Sequence, residues 1–223
     1  MQIFYNADGK SILLKMVKGI QENKIYLGEV DGLIGDGDHG MNMNKGFSTF
    51  EARFGEEEFS FSEGLSKLSM ILMNEIGGSM GPIYGTIFMA MADDLDDKDV
   101  EEIDLKTFAD CLQAGLEGLY DIVDARVGDK TLVDCLAPSV ESLQKDAADD
   151  VEFAVALNNM KAAAMAGRDS TKDLVAKYGR SSRLGKRSCG VLDAGSCSCC
   201  IILTQLQMEL KRCYLSCFCR NLR

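Results

Sequence analysis

Proline is almost missing from this sequence: Pro82 and Pro138 are the only two in 223 residues. Runs of β-branched residues are scarce as well, which counts against a strand-rich fold. No apolar stretch approaches the roughly 20 residues that span a bilayer, and the opening MQIFYNADGK lacks the cationic-then-apolar layout of a secretory signal. A cytoplasmic location, away from membranes, is expected. Basic residues are too few to balance the acidic ones, 24 against 35, leaving a net charge of −11. Such a surface is unsuited to unspecific binding of nucleic acid or anionic lipid, whose phosphates need cations.

What is present suits a globular chain: 46% of residues are apolar and 26% charged. Apolar residues recur at helical spacing at Ile12, Leu13, Met16, Val17 and Ile20, again at Leu65, Leu68, Ile71 and Leu72, and again at Leu132, Leu136, Val140 and Leu143. Residues 105–120, 151–165 and 196–210 continue the pattern. At the usual helix lengths about eight helices fit, so the expected fold class is all-α. No repeat, linker or low-complexity tract divides the chain, and a single domain is expected. The last dozen residues, RCYLSCFCRNLR, are basic and poorly periodic and read as a frayed tail.

Nine cysteines, an odd number, include six between Cys197 and Cys219. The run SCSCC leads straight into IILTQLQMEL, so these thiols are expected to line a helix as small apolar side chains. Cys197 and Cys200 have metal-ligand spacing, but no further pairs complete a clear site. Without a secretory signal, reduced thiols are the default.

The breaks between helices are GDGDHG (35–40), GGSMGPIYG (77–85), VGDKT (127–131) and GRSSRLGKRSCGVLDAG (179–195). Asp38 or Gly40, Ser79, Asp129 and Asp193 are candidate helix caps there. Helix starts offer free N–H groups and a positive dipole end, which suit anions. In an up-and-down bundle alternate connections share an end, so several of these loops would converge on one ligand. Residues 177–187, KYGRSSRLGKR, are basic with no acid. They read either as a solvated face or as a phosphate-facing arm.

Gly35, Gly37 and Gly40 match G-x-G-x-x-G, yet the βαβ context that pattern requires is absent. An EF-hand starting at Asp36 would place Gly40 and Phe47 where oxygen ligands belong, and no P-loop occurs. Asp31, Asp36 and Asp38 remain as hard oxygen ligands on a glycine-permitted turn. A solvated acidic turn is the plain alternative. The glycines, Asn42, Asn44 and His39, the one histidine of the chain, favour Mg2+ held between the acids and a phosphate.

The segments IGDGDHGMNMNKGF with Asp31 upstream, GGSMGPIYGT, VGDKTLVD and GRSSRLGKRSCGVLDAGSCS, in that order, resemble the ADP-binding L subunit of dihydroxyacetone kinase. The nucleotide domain of single-chain, ATP-using dihydroxyacetone kinases is similar. The likeness defines a nucleotide-binding domain over residues 1–208 and leaves 209–223 as an unmatched basic, Cys-rich tail.

The resemblance implies eight antiparallel helices in a closed up-and-down barrel with the nucleotide at one end. It implies two Mg2+ ions on Asp31, Asp36 and Asp38, and no catalytic residue beyond these ligands. His39, Gly40, Met41 and Asn42 would touch ADP or ATP and its phosphates. Gly77, Gly78, Ser79 and Met80 match a second loop, with Met80 where a small hydroxyl residue is common. Leu132 would pack on adenine. Arg180 and Asp193, Ala194 and Gly195 complete the contacts, Ala194 replacing the usual proline.

The implied activity is transfer of the γ-phosphoryl to dihydroxyacetone on a partner K subunit, with recharging by a phosphotransferase-system donor subunit. With His39 committed to the metal loop, the chain hosts neither covalent histidine that those partners use, so it needs both. A homodimer is left open. The alternatives are an ATP-exchanging subunit for another short ketose and a non-catalytic ADP-binding regulator.

Overall fold

A computed structural model describes the backbone of residues 2–220 and the side chains of residues 2–214. The chain is mostly helical: α1 (Gly9–Gly32), α2 (His39–Phe54), α3 (Phe61–Glu75), α4 (Met80–Asp97), α5 (Leu105–Ile122), α6 (Val133–Ala148), α7 (Phe153–Ser170) and α8 (Ala194–Arg220). The apolar stripes explain the packing. Ile12, Leu13, Met16, Val17 and Ile20 of α1 are all fully buried, as are Leu65, Leu68 and Leu72 of α3. Each helix packs against its successor, and α8 returns to α1.

One departure from the expected all-α fold is a two-stranded antiparallel ribbon. β1 (Ile3–Tyr5) pairs with β2 (Glu102–Asp104) in the register Ile3↔Asp104, Phe4↔Ile103 and Tyr5↔Glu102. Three residues per strand are too few to show an alternating pattern in the sequence. Phe4 anchors the ribbon. Its ring centroid lies 5.8 Å from Phe61, 6.1 Å from Phe108 and 6.2 Å from Phe153, in the first turns of α3, α5 and α7. Each such pair adds about 0.5–1.5 kcal/mol beyond the buried area. This end of the bundle is also acidic: residues 93–104, from the last turn of α4 through β2, carry eight carboxylates and one lysine.

Two helix starts at this end, those of α3 and α5, are closed by their own side chains. Ser60 Oγ accepts from Glu63 N at 3.1 Å while Ser60 N donates to Glu63 Oε2 at 3.2 Å, and Asp104 accepts from Thr107 N at 2.8 Å. The frayed tail is corrected where it is described. α8 continues into it as far as Arg220, with Cys213 buried, because the register set by Ile202, Leu203, Leu206 and Leu210 carries on. The remainder of that tail lies outside the described side chains.

Candidate metal and anion site

The starts of α2, α4, α6 and α8 surround a cleft of about 220 Å³, together with the end of α1. Asp38 and Ser79 stand at the N-cap positions of α2 and α4, as the sequence suggested, yet neither side chain makes a cap hydrogen bond. Asp129 is not the cap of α6. Leu132 holds that place, and Asp129 instead accepts from Arg126 N at 2.8 Å and pairs with Lys177. Asp193 does cap α8, accepting from Ser196 N at 2.6 Å. At α2, α4 and α6 the N-cap side chain therefore leaves the first turn open, although His39 N–H of α2 donates to Asp31 Oδ2 and Val133 N–H of α6 to Thr131 Oγ1.

The loop from α1 to α2 folds tightly around Asp31. Ile34 N donates to Asp31 O at 3.1 Å, and a Cβ on Gly35 would meet Asp31 Oδ1 at 2.3 Å. Glycine is needed there so that the carboxylate can lie over the loop. Gly37 turns the chain at φ +78°. Ligand oxygens of Asp31, Asp36 and Asp38 consequently lie within 4.8 Å of one another, the one such group of metal-ligating residues among the described residues. Three hard oxygen donors this close repel unless a cation joins them, so the donor set fits Mg2+. Arg180 supplies part of that charge, its guanidinium resting on the Asp36 carboxylate.

His39 lines the cleft beside the acids. Its backbone N–H donates to Asp31 Oδ2 at 3.4 Å, and burial pushes its pKa down to about 4 against the opposing pull of Asp31. Ser79, Met80, Leu132, Arg180, Asp193, Ala194 and Gly195 line the same cleft. Burial pushes the Asp193 carboxyl up to about 7, opposed by the Ser196 N–H and Lys130.

Gly40, Met41, Asn42, Gly77 and Gly78 are not among the lining residues. Gly40 is buried against α1, where a Cβ would sit 1.9 Å from Lys24 O. Met41 is exposed on the first turn of α2, and Gly77 and Gly78 lie exposed in the loop before α4.

Several lining residues went unnoticed in the sequence. Lys130, buried at φ +61°, donates to the carbonyls of Thr171 and Val191 and so pins two connections beside the cleft. Asp134, buried and not itself among the lining residues, accepts from Gly128 N at 2.6 Å and Thr131 N at 2.7 Å and holds the VGDKT loop closed. Tyr84 and Tyr178 add aromatic surface. A lysine between Asp129 and Thr131 gives no sign of its left-handed backbone. Of the basic segment, Arg180 reaches the cleft with Gly179 and Ser181, whereas Arg183, Lys186 and Arg187 do not line it.

The thiols behave as small apolar groups. Cys197, Cys199 and Cys200 are buried on α8, and burial pushes the Cys197 thiol up to about 11.

The model of the DAK2 domain matches residues 33–208. The chain is 37% identical over 194 residues to "PEP-dependent dihydroxyacetone kinase 1, ADP-binding subunit DhaL" of Listeria innocua serovar 6a, covering 86% of this chain and 90% of that one. It is 40% identical over 185 residues to "PTS-dependent dihydroxyacetone kinase, ADP-binding subunit DhaL" of Lactococcus lactis subsp. lactis, covering 82% and 86%. Its fold is similar to the dihydroxyacetone kinase from C. freundii solved in complex with AMP-PNP and Mg2+, with a TM-score of 0.70 at 19% identity. That superposition covers 94% of this chain and 35% of the solved one, so the chain spans about a third of that enzyme.

Proposed function

The chain belongs to the DAK2-domain family, and from that premise we propose that it is the nucleotide-carrying phosphoryl-transfer subunit of a dihydroxyacetone kinase. The observation that carries this reading is the convergence on one cleft of three carboxylates, Arg180 and the starts of α2, α4 and α6, none closed by its own N-cap side chain. Acids alone would repel a phosphate. When bound, Mg2+ supplies the positive charge between carboxylates and phosphates.

Asp31, Asp36 and Asp38 hold that charge as two ions, the starts of α2 and α4 present amides to the phosphates, and Leu132 packs on adenine. His39, Gly40, Met41, Asn42, Gly77, Gly78, Ser79, Met80, Asp193, Ala194 and Gly195 form the rest of the nucleotide site, Gly40 by letting α2 approach α1. The unit comprises residues 1–208. The helices form a closed antiparallel barrel, supported by two observations: α3, α5 and α7 begin at the Phe4 end, whereas α2, α4, α6 and α8 begin at the cleft.

No general base is required of this chain, since positioning and charge stabilisation carry most of phosphoryl transfer. The γ-phosphoryl passes to dihydroxyacetone held by a partner subunit, and a phosphoenolpyruvate-dependent donor recharges ADP in place. ADP is then a fixed coenzyme and must leave slowly. With association at about 10⁵–10⁷ M⁻¹s⁻¹, residence over minutes requires a Kd well below micromolar.

The test is to load the protein with labelled ADP, chase with unlabelled ATP, and assay transfer with and without the phosphotransferase donor. Retained label and donor-dependent turnover are expected. Loss of label within seconds, with turnover on ATP alone, sinks the fixed-coenzyme reading.

Arg180 yields a second prediction with two opposite signs. Arg180→Ala removes a cation from the nucleotide but also frees Asp36 from its internal partner. The Kd for Mg·ADP should rise about tenfold, the scale of one charge-assisted contact, while affinity for Mg2+ alone should not fall. Arg212→Ala, which breaks only the pair with Glu209 on α8, should leave both within about twofold. Equal effects of the two substitutions in calorimetric titrations would reduce Arg180 to a solvated charge.

A further inference from the structure

His39 is tied to hydroxyl groups that the reading above leaves without a task. Its Nε2 lies 2.8 Å from Ser198 Oγ. That hydroxyl lies 2.6 Å from Tyr84 OH and 3.0 Å from the carbonyl oxygen of Gly195, and Tyr84 OH lies 3.2 Å from the same carbonyl. Ser198 is fully buried, Tyr84 nearly so, and they belong to α8 and α4. No hydrogen bond reaches His39 Nδ1, yet no buried side-chain nitrogen among the described residues lacks a partner. Nδ1 therefore opens to the cleft that His39 lines.

Proton placement decides which nitrogen carries hydrogen. Tyr84 and Ser198 bring one proton each to four polar contacts. A ring protonated on Nδ1 adds none, so at least two contacts would bring lone pairs together with no hydrogen between them. A ring protonated on Nε2 adds a third. Tyr84 then donates to Ser198, Ser198 to the Gly195 carbonyl and His39 Nε2 to Ser198, which fills the three shortest contacts and uses both lone pairs of the serine. We propose that Ser198 and Tyr84 are positioning residues that hold His39 in the Nε2–H form, with the Nδ1 lone pair aimed into the cleft as an acceptor.

An acceptor there repels a bare phosphate oxygen. Its partner is a donor, and beside three carboxylates that donor is a water in the hydration shell of the cation, since Mg2+ keeps several waters. Only this last step rests on the nucleotide-carrying reading.

The chain has a single histidine, so a long-range 1H–15N spectrum of the 15N-labelled protein at neutral pH reports one ring. A protonated-type Nε2 and an unprotonated-type Nδ1 are expected in the wild type. Ser198→Ala and, less strongly, Tyr84→Phe should move both shifts toward a mixture of the two forms. Adding MgCl2 and ADP to the wild type should shift Nδ1. Ser198→Ala should raise the Kd for Mg·ADP about tenfold, the lower range for losing a group that orients a metal's surroundings.

A wild-type ring protonated on Nδ1 overturns the proposal, and so does a folded Ser198→Ala protein with an unchanged spectrum. If that variant fails to fold, the wild-type spectrum decides alone. An Nε2–H ring whose Nδ1 ignores Mg2+ and ADP overturns its role as acceptor. Calorimetry on the same sample then shows whether nucleotide binding fails with it.

Discussion

Asp36→Asn should weaken Mg·ADP binding on the order of 100-fold or more and stop phosphoryl transfer. The substitution preserves shape and removes one of three clustered charges, the property a hard cation requires of its ligands. Losing a group that merely orients a ligand costs about 10–100-fold, and losing a direct one costs at least as much. Folding should hardly notice. Asp36 is exposed and its partner Arg180 is more exposed still, so the pair contributes roughly 0–1 kcal/mol. Calorimetric titration of ADP with Mg2+ present, beside a melting curve, separates the two. Unchanged affinity would remove the metal assignment, whatever the melting curve did.

Gly40→Ala should damage the protein by another route. The added Cβ would lie 1.9 Å from Lys24 O and 2.7 Å from Gly28 N, both backbone atoms of α1 that have no rotamer to escape into. α2 must then move off α1. Overpacking of this kind costs about 1–3 kcal/mol or more, and with backbone on both sides the upper part of that range applies. At about 2–4 °C per kcal/mol for a chain of this size, the melting temperature should fall by roughly 6–12 °C. Nucleotide affinity should fall as well, because α2 carries His39 and ends the aspartate turn. Gly77→Ala is the control, since nothing lies within 4 Å of its Cβ. It should leave melting unchanged. A Gly40→Ala protein that melts like the wild type would mean that α2 does not depend on this approach.

The helices were legible because their stripes are long: Leu65, Leu68 and Leu72 show the period that burial later uses. The ribbon was not, because Ile3 to Tyr5 offers three residues and its partner strand lies 97 residues further on, at Glu102. Asp31, Asp36 and Asp38 announced themselves through chemistry, as three carboxylates and glycines in one turn. Gly40 belongs to the same motif but serves packing, and its neighbour Lys24 O cannot be seen from spacing. Lys130 and Asp134 were hidden for a related reason. Their partners at Thr171, Val191, Gly128 and Thr131 are backbone groups, which every residue possesses and no motif advertises. Ser198 stood in SCSCC, where the cysteines drew attention from the hydroxyl that meets His39.

The two ends of the bundle differ in charge, with consequences for encounter rather than for affinity. Residues 93–104 place eight carboxylates and one lysine at the Phe4 end, whereas the cleft end combines the carboxylates of Asp31, Asp36, Asp38 and Asp193 with the five cations of residues 177–187, of which Arg180 lines the cleft. The Phe4 end therefore lacks the compensating cations that the cleft end has, in a molecule of negative net charge. A nucleotide approaching the Phe4 end is repelled more strongly than one approaching the cleft, where the basic arm and a bound cation offset the acids. A negatively charged protein surface experiences the same bias. Because this selection acts over distances comparable to the Debye length, about 8–10 Å near physiological ionic strength, added salt erodes it. Association rates should then fall with salt more steeply than dissociation rates change.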